Sequence, residues 1–170
     1  LKCQYLFGYC EQVADEVRWL TAEQQRAWRR YLLGSARLSE RLDADLREYG
    51  MDLAEYEILV ALSELDEPKL RMSELADAVH QSRSRLTHTI TRMEKDGLVE
   101  RTTCPTDRRG VWAQLTDAGL TLIRQAAPSH VQAVRANLID LVSPEDLEAV
   151  GRVFEAVIAA DPGSPRPHTG

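Results

Sequence analysis

Aromatic residues are scarce in this 170-residue chain. They make up 6% of it, so a core must come mostly from Leu, Ala and Val, a mixture that favours helices. Long apolar runs are missing as well. No stretch approaches the roughly 20 residues needed to cross a bilayer. The opening LKCQYLFGYCEQ has neither the basic start nor the apolar segment of a signal peptide, so a cytoplasmic protein without membrane contact is expected. Cysteine is limited to Cys3, Cys10 and Cys104, odd in number and scattered, which argues against a disulfide framework. Neither these nor His80, His88, His130 and His168 show metal-ligand spacing. No nucleophile elbow or paired-carboxylate motif is present, so neither catalysis nor a cofactor is expected. The length fits one domain.

Charge is plentiful but uneven. The chain is acidic, with net charge −6, which at first sight argues against a polyanionic partner. Between residues 80 and 112, however, seven basic residues (Arg83, Arg85, Arg92, Lys95, Arg101, Arg108, Arg109) stand against four acids (Glu94, Asp96, Glu100, Asp107). That window carries +3, which leaves −9 of the total −6 for the remainder. A basic island on an acidic body says more about a partner than the overall charge does.

Residues 1–20 carry no clear pattern and are set apart as an N-terminal extension of unassigned role. TAEQQRAWRRYLLGSARLSERLDADLREYG reads as one long helix between a Thr21 cap, with Glu23 behind it, and a Gly50 stop. Trp28, Leu32, Ser35, Leu38, Leu42, Leu46 and Tyr49 recur at helical spacing and predict one buried stripe. Asp52 with Glu55 fits a capping box at the start of DLAEYEILVALSEL, and DEPKLR, with Pro68, reads as a loop. Ser73 opens SELADAVH, with Leu75, Ala76 and Val79 inward and His80 at its end. A second helix follows in SRSRLTHTITRMEKDG, capped by Ser82 and ended by Gly97. The period then changes. LVERTT and VWAQLT have strand composition, and CPTDRRG, with Pro105 and Gly110, joins them as a hairpin. DAGLTLIRQAAPSHVQAVRANLIDLV is a long helix from a Thr116 cap, in which Pro128 predicts an interruption and a kink. Ser143 and Pro144 open a last helix, SPEDLEAVGRVFEAVIAA. The Pro/Gly-rich residues 161–170 read as a disordered tail.

Two short helices followed by a two-stranded hairpin describe a winged helix-turn-helix lobe over residues 52–116. The second helix of such a lobe enters the major groove of double-stranded DNA. At about 100° per residue, Leu86, Ile90 and Met93 share one face, while Ser84, His88, Thr91, Arg92 and Lys95 share the opposite one, flanked by Arg85 and Thr87. Hydroxyls, imidazole and guanidinium suit base edges and phosphates. At the hairpin tip Arg108 and Arg109 serve no core. A thin hairpin beside a reading helix brings them to the minor groove, where the potential is most negative. Asp107 can hold the Arg109 guanidinium in one orientation, which reduces the rotamer entropy lost on contact. The plainer reading, a solvated helix face and a solubilising turn, does not account for the two features occurring together in this order.

MSELADAV and LTHTITRMEKDGLVERTTCPTDRRGVWAQLTDAG resemble the MarR family, the multiple-antibiotic-resistance type regulators. Pro105, Asp107, Arg108 and Arg109, then Leu115, Thr116 and Gly119, carry the resemblance most specifically, and it extends over residues 21–160. It implies a homodimeric DNA-binding transcription regulator with a mainly α fold, a small β-hairpin wing, and long dimerisation helices at 21–50 and 117–160. By that resemblance Arg109 is the minor-groove residue with Asp107 as its support, and Thr87, His88 and Arg92 contact DNA from the reading helix. The family often carries Arg where this chain has His88. Most relatives bind a small, often phenolic or anionic, effector between the dimer helices and the DNA-binding lobe, for which Trp28, Tyr31, Arg37 and Tyr56 are candidates. Two-fold symmetry would place two reading helices in successive major grooves. It predicts a pseudo-palindromic operator with half-sites about 10 bp apart. A repressor released by its ligand is the commoner mode.

Two alternatives stay open. The winged lobe could serve protein contacts, although such a role has no use for the Asp-x-Arg tip. A thiol-redox-responsive regulator of the same fold would use Cys10, ahead of the first long helix, or Cys104, at the base of the wing.

Overall fold

Short polar residues start five of the six α-helices among the described residues. The computed structural model describes residues 17–103 and 110–160, and contacts distinguish two units, Leu1–Arg37 and Leu38–Gly170. Thr21 Oγ1 accepts from the Gln24 N–H at 3.2 Å, and Gln24 Oε1 accepts from the Thr21 N–H at 2.8 Å. This reciprocal cap opens α1 (Ala22–Leu46). A 3-10 turn at Arg47–Tyr49 follows, closed by Gly50 at φ +75°, a conformation that favours glycine. The expected buried stripe is only partly buried. Leu46 is fully buried and Leu38, Leu42 and Tyr49 are half-buried, but Trp28 and Leu32 are 51% and 46% exposed. Periodicity reports that a helix face is apolar; it does not say which molecule covers it.

In the second unit, α2 (Leu53–Ser63) is the central helix of the lobe. Asp52 Oδ1 accepts from the Glu55 N–H and Glu55 Oε2 from the Asp52 N–H, both at 2.9 Å, completing the expected capping box. Tyr56, Ile58, Leu59 and Leu62 are buried, so α2 has no single wet face. Packed with it are α3 (Met72–Ala78), through Leu75 and Ala76, and α4 (Arg83–Lys95), through Leu86, Ile90 and Met93, all buried. The helix predicted to open at Ser73 starts earlier: Arg71 occupies the cap position, and its N–H donates to Glu74 Oε2 at 3.3 Å.

The wing has three strands where the sequence predicted two. Lys69–Arg71, read as loop, forms β1, which pairs antiparallel with β3 (Val111–Leu115); β3 pairs on its other side with β2 (Val99–Thr103), giving the order β1-β3-β2. Leu70 lies opposite Ala113 and Arg71 opposite Trp112. Three residues are too few to show a period of two; the ladder partner, distant in sequence, defines the strand. Thr116 then joins wing to helix. Its Oγ1 donates to the carbonyls of Gly97 (2.7 Å) and Leu98 (3.0 Å) and accepts from the Gly119 N–H at 3.1 Å.

That cap opens α5 (Asp117–Asn137), which continues through Pro128 as one helix, where an interruption was expected. Pro removes one backbone donor, and the next turn is anchored: Ser129 Oγ donates to Asp45 Oδ1 at 2.8 Å, and the His130 ring lies 4.3 Å from that of Tyr56. After a 3-10 turn at Ile139–Leu141, Ser143 caps α6 (Pro144–Ala159), in which no residue is buried.

Gly119 packs where no side chain fits. A Cβ there would collide with the Leu98 carbonyl oxygen and reach 2.7 Å from Leu115 Cδ1. Gly119→Ala is therefore expected to lower the unfolding free energy by about 1–3 kcal/mol, read by chemical denaturation; an unchanged midpoint would mean that α5 shifts away without cost. A second prediction concerns His130. Burial holds its imidazole below the ordinary value of 6.5, against the opposing pull of Asp45. The folded chain thus takes up this proton less readily than the unfolded chain. The His130 contribution to stability is present above the unfolded value and is lost as pH falls below it. Thermal unfolding at about pH 7.5 and pH 5.5 should show a larger acid-induced loss for the wild type than for His130→Phe; equal losses would place the effect elsewhere.

Candidate nucleic-acid interface

Three residues separate the C-terminal cap of α3, Val79, from the start of α4. His80 takes a left-handed turn at φ +51°, the Gln81 N–H donates to the Ala76 carbonyl at 2.9 Å, and Ser82 Oγ accepts from the Arg85 N–H at 3.2 Å. With Leu86, Ile90 and Met93 fully buried, the face carrying Arg83, Ser84, Arg85, Thr87, His88, Thr91, Arg92 and Lys95 is left exposed.

The hydroxyls on this face are not equivalent. Thr87 Oγ1 donates to the Arg83 carbonyl at 2.7 Å, so its oxygen faces outward as an acceptor. Thr91 Oγ1 donates to the Thr87 carbonyl at 2.8 Å and accepts from Arg101 Nη2 at 3.2 Å, which leaves it committed inside the protein. Arg101, on β2, also binds Glu94: Nε to Oε2 at 2.9 Å, and backbone N–H to Oε1 at 3.2 Å. This contact ties the wing to α4 and holds the Glu94 carboxyl below its usual range, chiefly through the hydrogen bond from Arg101.

Two concave surfaces flank the helix. One, of about 360 Å³, is lined by Arg71, Ser73, Arg83, Thr87 and Arg101 with the base of the wing. The other is lined by Asp52, Ser84, Arg85, His88 and Arg92. The predicted residues Ser84, Arg85, His88 and Arg92 therefore share one groove, and Thr87 faces the other. Arg92 is engaged by Asp52 and Glu55 at 2.8 and 3.0 Å, and the Glu55 charge, ahead of the hydrogen bonds, raises its pKa. Asp107, Arg108 and Arg109, and likewise Cys10 and Cys104, lie outside the described residues. Sequence reasoning did not single out Arg71 and Arg83, which line the first of these surfaces. Arg83 was visible as the first residue of RSR, but Arg71 was hidden in a segment read as loop. Arg71 and Lys69 both lie over the Trp112 ring, at 5.6 and 5.8 Å from its centroid.

The ligand candidates fall as follows. Trp28 and Tyr31 stack with centroids 5.5 Å apart and are about half exposed, and Arg37 is exposed. Tyr56 is buried, and burial raises its phenol pKa. It lines a cavity of about 640 Å³ with Leu42, Glu57, Glu64, His80 and His130. Burial, the largest influence, also pushes the Glu57 carboxyl up. Among the described residues no group of three or more His, Cys, Asp or Glu is placed to hold a metal ion, and no helix is long and apolar enough to cross a membrane.

The MarR family model matches residues 49–110. AbsC, a MarR family transcriptional regulator from Streptomyces coelicolor, is 46% identical, with a TM-score of 0.79 over 84% of this chain and 96% of AbsC. Sco3205, a MarR family transcriptional regulator from the same organism solved in complex with DNA, is 43% identical, with a TM-score of 0.81 over 85% of this chain and 91% of its own. The transcriptional repressor MprA of Escherichia coli K12 is 29% identical over 93 residues, which is 55% of this chain and 53% of MprA. All three are regulators of transcription. With identity above two-fifths along nearly the whole of two such regulators, this chain belongs to the MarR family of winged helix-turn-helix transcription regulators.

Proposed function

We propose that this chain is a homodimeric repressor that binds a pseudo-palindromic operator in double-stranded DNA and is released by a small ligand. The observation that carries the DNA reading is the exposed polar face of α4, rigidly seated on a fully buried apolar face and flanked by a cleft bearing Arg71, Arg83 and Arg101. The DNA complex of Sco3205 supports it, and the repressor MprA supports the sign of regulation.

The roles follow from chemistry. Ser84, Arg85, Thr87 and His88 lie in the first half of α4, the part of a reading helix that reaches base edges. Thr87, its proton committed to the Arg83 carbonyl, accepts from a base amino group. Arg71 and Arg83 bind phosphates, which position the protein without reading sequence. By the family resemblance Arg109 enters the minor groove with Asp107 as its support, and Arg108 stands next to it in the sequence.

A second copy of the chain is called for by exposed apolar surface. Val150, Val153, Val157 and Ile158 on α6 are 40–76% exposed, a large expanse for a monomer. In the first unit Trp19, Leu20, Trp28 and Leu33 are 49–69% exposed. For the ligand, the Tyr56 cavity has the size of a small-molecule site. Its carboxylates, Glu57 and Glu64, repel an anion, so at this cavity a phenol is favoured over an aromatic acid; the stacked Trp28–Tyr31 pair and Arg37 are the candidates for an anionic ligand. Such a ligand acts by favouring a spacing of the two reading helices that misfits the operator.

Binding selection on random duplex DNA with the purified protein tests the reading. A two-fold symmetric motif with half-site centres about 10 bp apart is expected. No enrichment at low salt would overturn it and leave the winged lobe to protein contacts. On the selected operator, Arg83→Ala and Arg109→Ala should each weaken binding and lower the slope of log K against log salt by about one; an unchanged slope would remove Arg83 from the phosphate contacts, and an unchanged affinity in Arg109→Ala would remove the wing from the interface. Sedimentation at micromolar concentration should give a dimer, and a monomer would remove the palindrome as well.

A further inference from the structure

Arg92 is held differently from its neighbours on α4. Its Nη2 lies 2.8 Å from Asp52 Oδ2 and 3.0 Å from Glu55 Oε1. Those carboxylates form the α2 capping box, in which Asp52 Oδ1 and Glu55 Oε2 take the reciprocal backbone bonds. Each carboxylate therefore offers its second oxygen to the same guanidinium. Glu55 is only 8% exposed. Without Arg92 its charge would sit beside that of Asp52 with little water around the Glu55 carboxylate to screen it. One residue further along, the Leu53 N–H donates to Asp43 Oδ1 at 3.0 Å, and Asp43 lies in the last turns of α1. A continuous polar path thus runs from the end of α1, through the first turn of α2, to the later turns of α4.

We propose that Arg92 is a positioning residue, which sets the orientation of the reading helix by fastening α4 to the α2 capping box, and is not a DNA contact. The inference rests on the DNA reading above and moves Arg92 from the readers to their support. Three observations carry it. The charge of Arg92 is already matched by two acids, so turning it towards DNA would leave Asp52 and Glu55 unpaired near phosphates. It lies two helical turns beyond Arg85, past the N-terminal half of α4 that is placed to read bases. Finally, the apolar contacts of Leu86, Ile90 and Met93 are non-directional. They hold α4 against the lobe, whereas a guanidinium hydrogen-bonded to two fixed carboxylates restricts how the helix rolls and tilts there.

The discriminating variant is Asp52→Asn, which keeps an N-cap acceptor for α2 and makes the surface more positive. If Arg92 contacted DNA, this change would release it and tighten operator binding. As a fastening, its loss should weaken operator binding about tenfold, with no loss on random duplex and no change in salt slope. Arg92→Ala should behave in the same way, and Arg92→Lys, which keeps the charge on a shorter, non-planar head, should recover part of the affinity. Tighter operator binding by Asp52→Asn, together with a slope lowered by about one in Arg92→Ala, would overturn the proposal. A second arm needs no DNA. Amide hydrogen exchange over residues 88–95 should accelerate in both Asp52→Asn and Arg92→Ala relative to the rest of the lobe, and unchanged exchange would overturn the fastening. If the wild type selects no DNA sequence, the DNA reading fails by itself, and the exchange arm still decides whether Arg92 holds the helix.

Discussion

A reading helix has to be dry on one side and wet on the other, and the rest of this structure depends on how α4 meets that constraint. Leu86, Ile90 and Met93 are fully buried, and burial of three large side chains on one stripe leaves little freedom in which face points outward. Everything else around α4 refines that placement. Ser82 starts the helix, Arg101 and Glu94 tie the wing to its side, and Thr116 ties the base of the wing to α5. The polar residues on its outer face are therefore presented by a rigid element, which suits recognition that discriminates by fractions of an ångström.

The elements that could be read from the sequence are those whose cause is local. The Asp52–Glu55 capping box, the Ser82, Thr116 and Ser143 caps, the Gly50 stop and the inward stripe of α4 each depend on residues within a few positions of one another. What was missed depends on distant partners. β1 exists because Leu70 meets Ala113, and Arg71 joins the site only through that pairing. The same holds for Arg92. Its position on the polar face of α4 was visible, but its engagement with Asp52 and Glu55, some 40 and 37 residues away, was not. A helical wheel assigns a face; it does not show whether a neighbouring element has already occupied the side chain.

The stripe of α1 teaches the complementary lesson. Its apolar period is real, yet Trp28 and Leu32 stay about half exposed in the single chain, and α6 has no buried residue despite its strong apolar face. Burying such surface is favourable by roughly 25 cal/mol per Å². Apolar helix faces left exposed outside the lobe stand in contrast to the fully packed core inside it.

Charge makes a similar division. The basic residues gather between positions 80 and 112, while the remainder of the chain is strongly acidic. For a polyanion approaching at moderate salt, fields extend about 8–10 Å before they are screened. Within that range the exposed cations of α4, Arg83, Arg85 and Lys95, attract it. The overall net charge of −6 is thus compatible with DNA binding. Pairing within the island sharpens this further. Arg101 is matched by Glu94, and Arg92 by Asp52 and Glu55. The attraction of α4 for a polyanion then falls mainly on Arg83 and Arg85 at its start, both exposed.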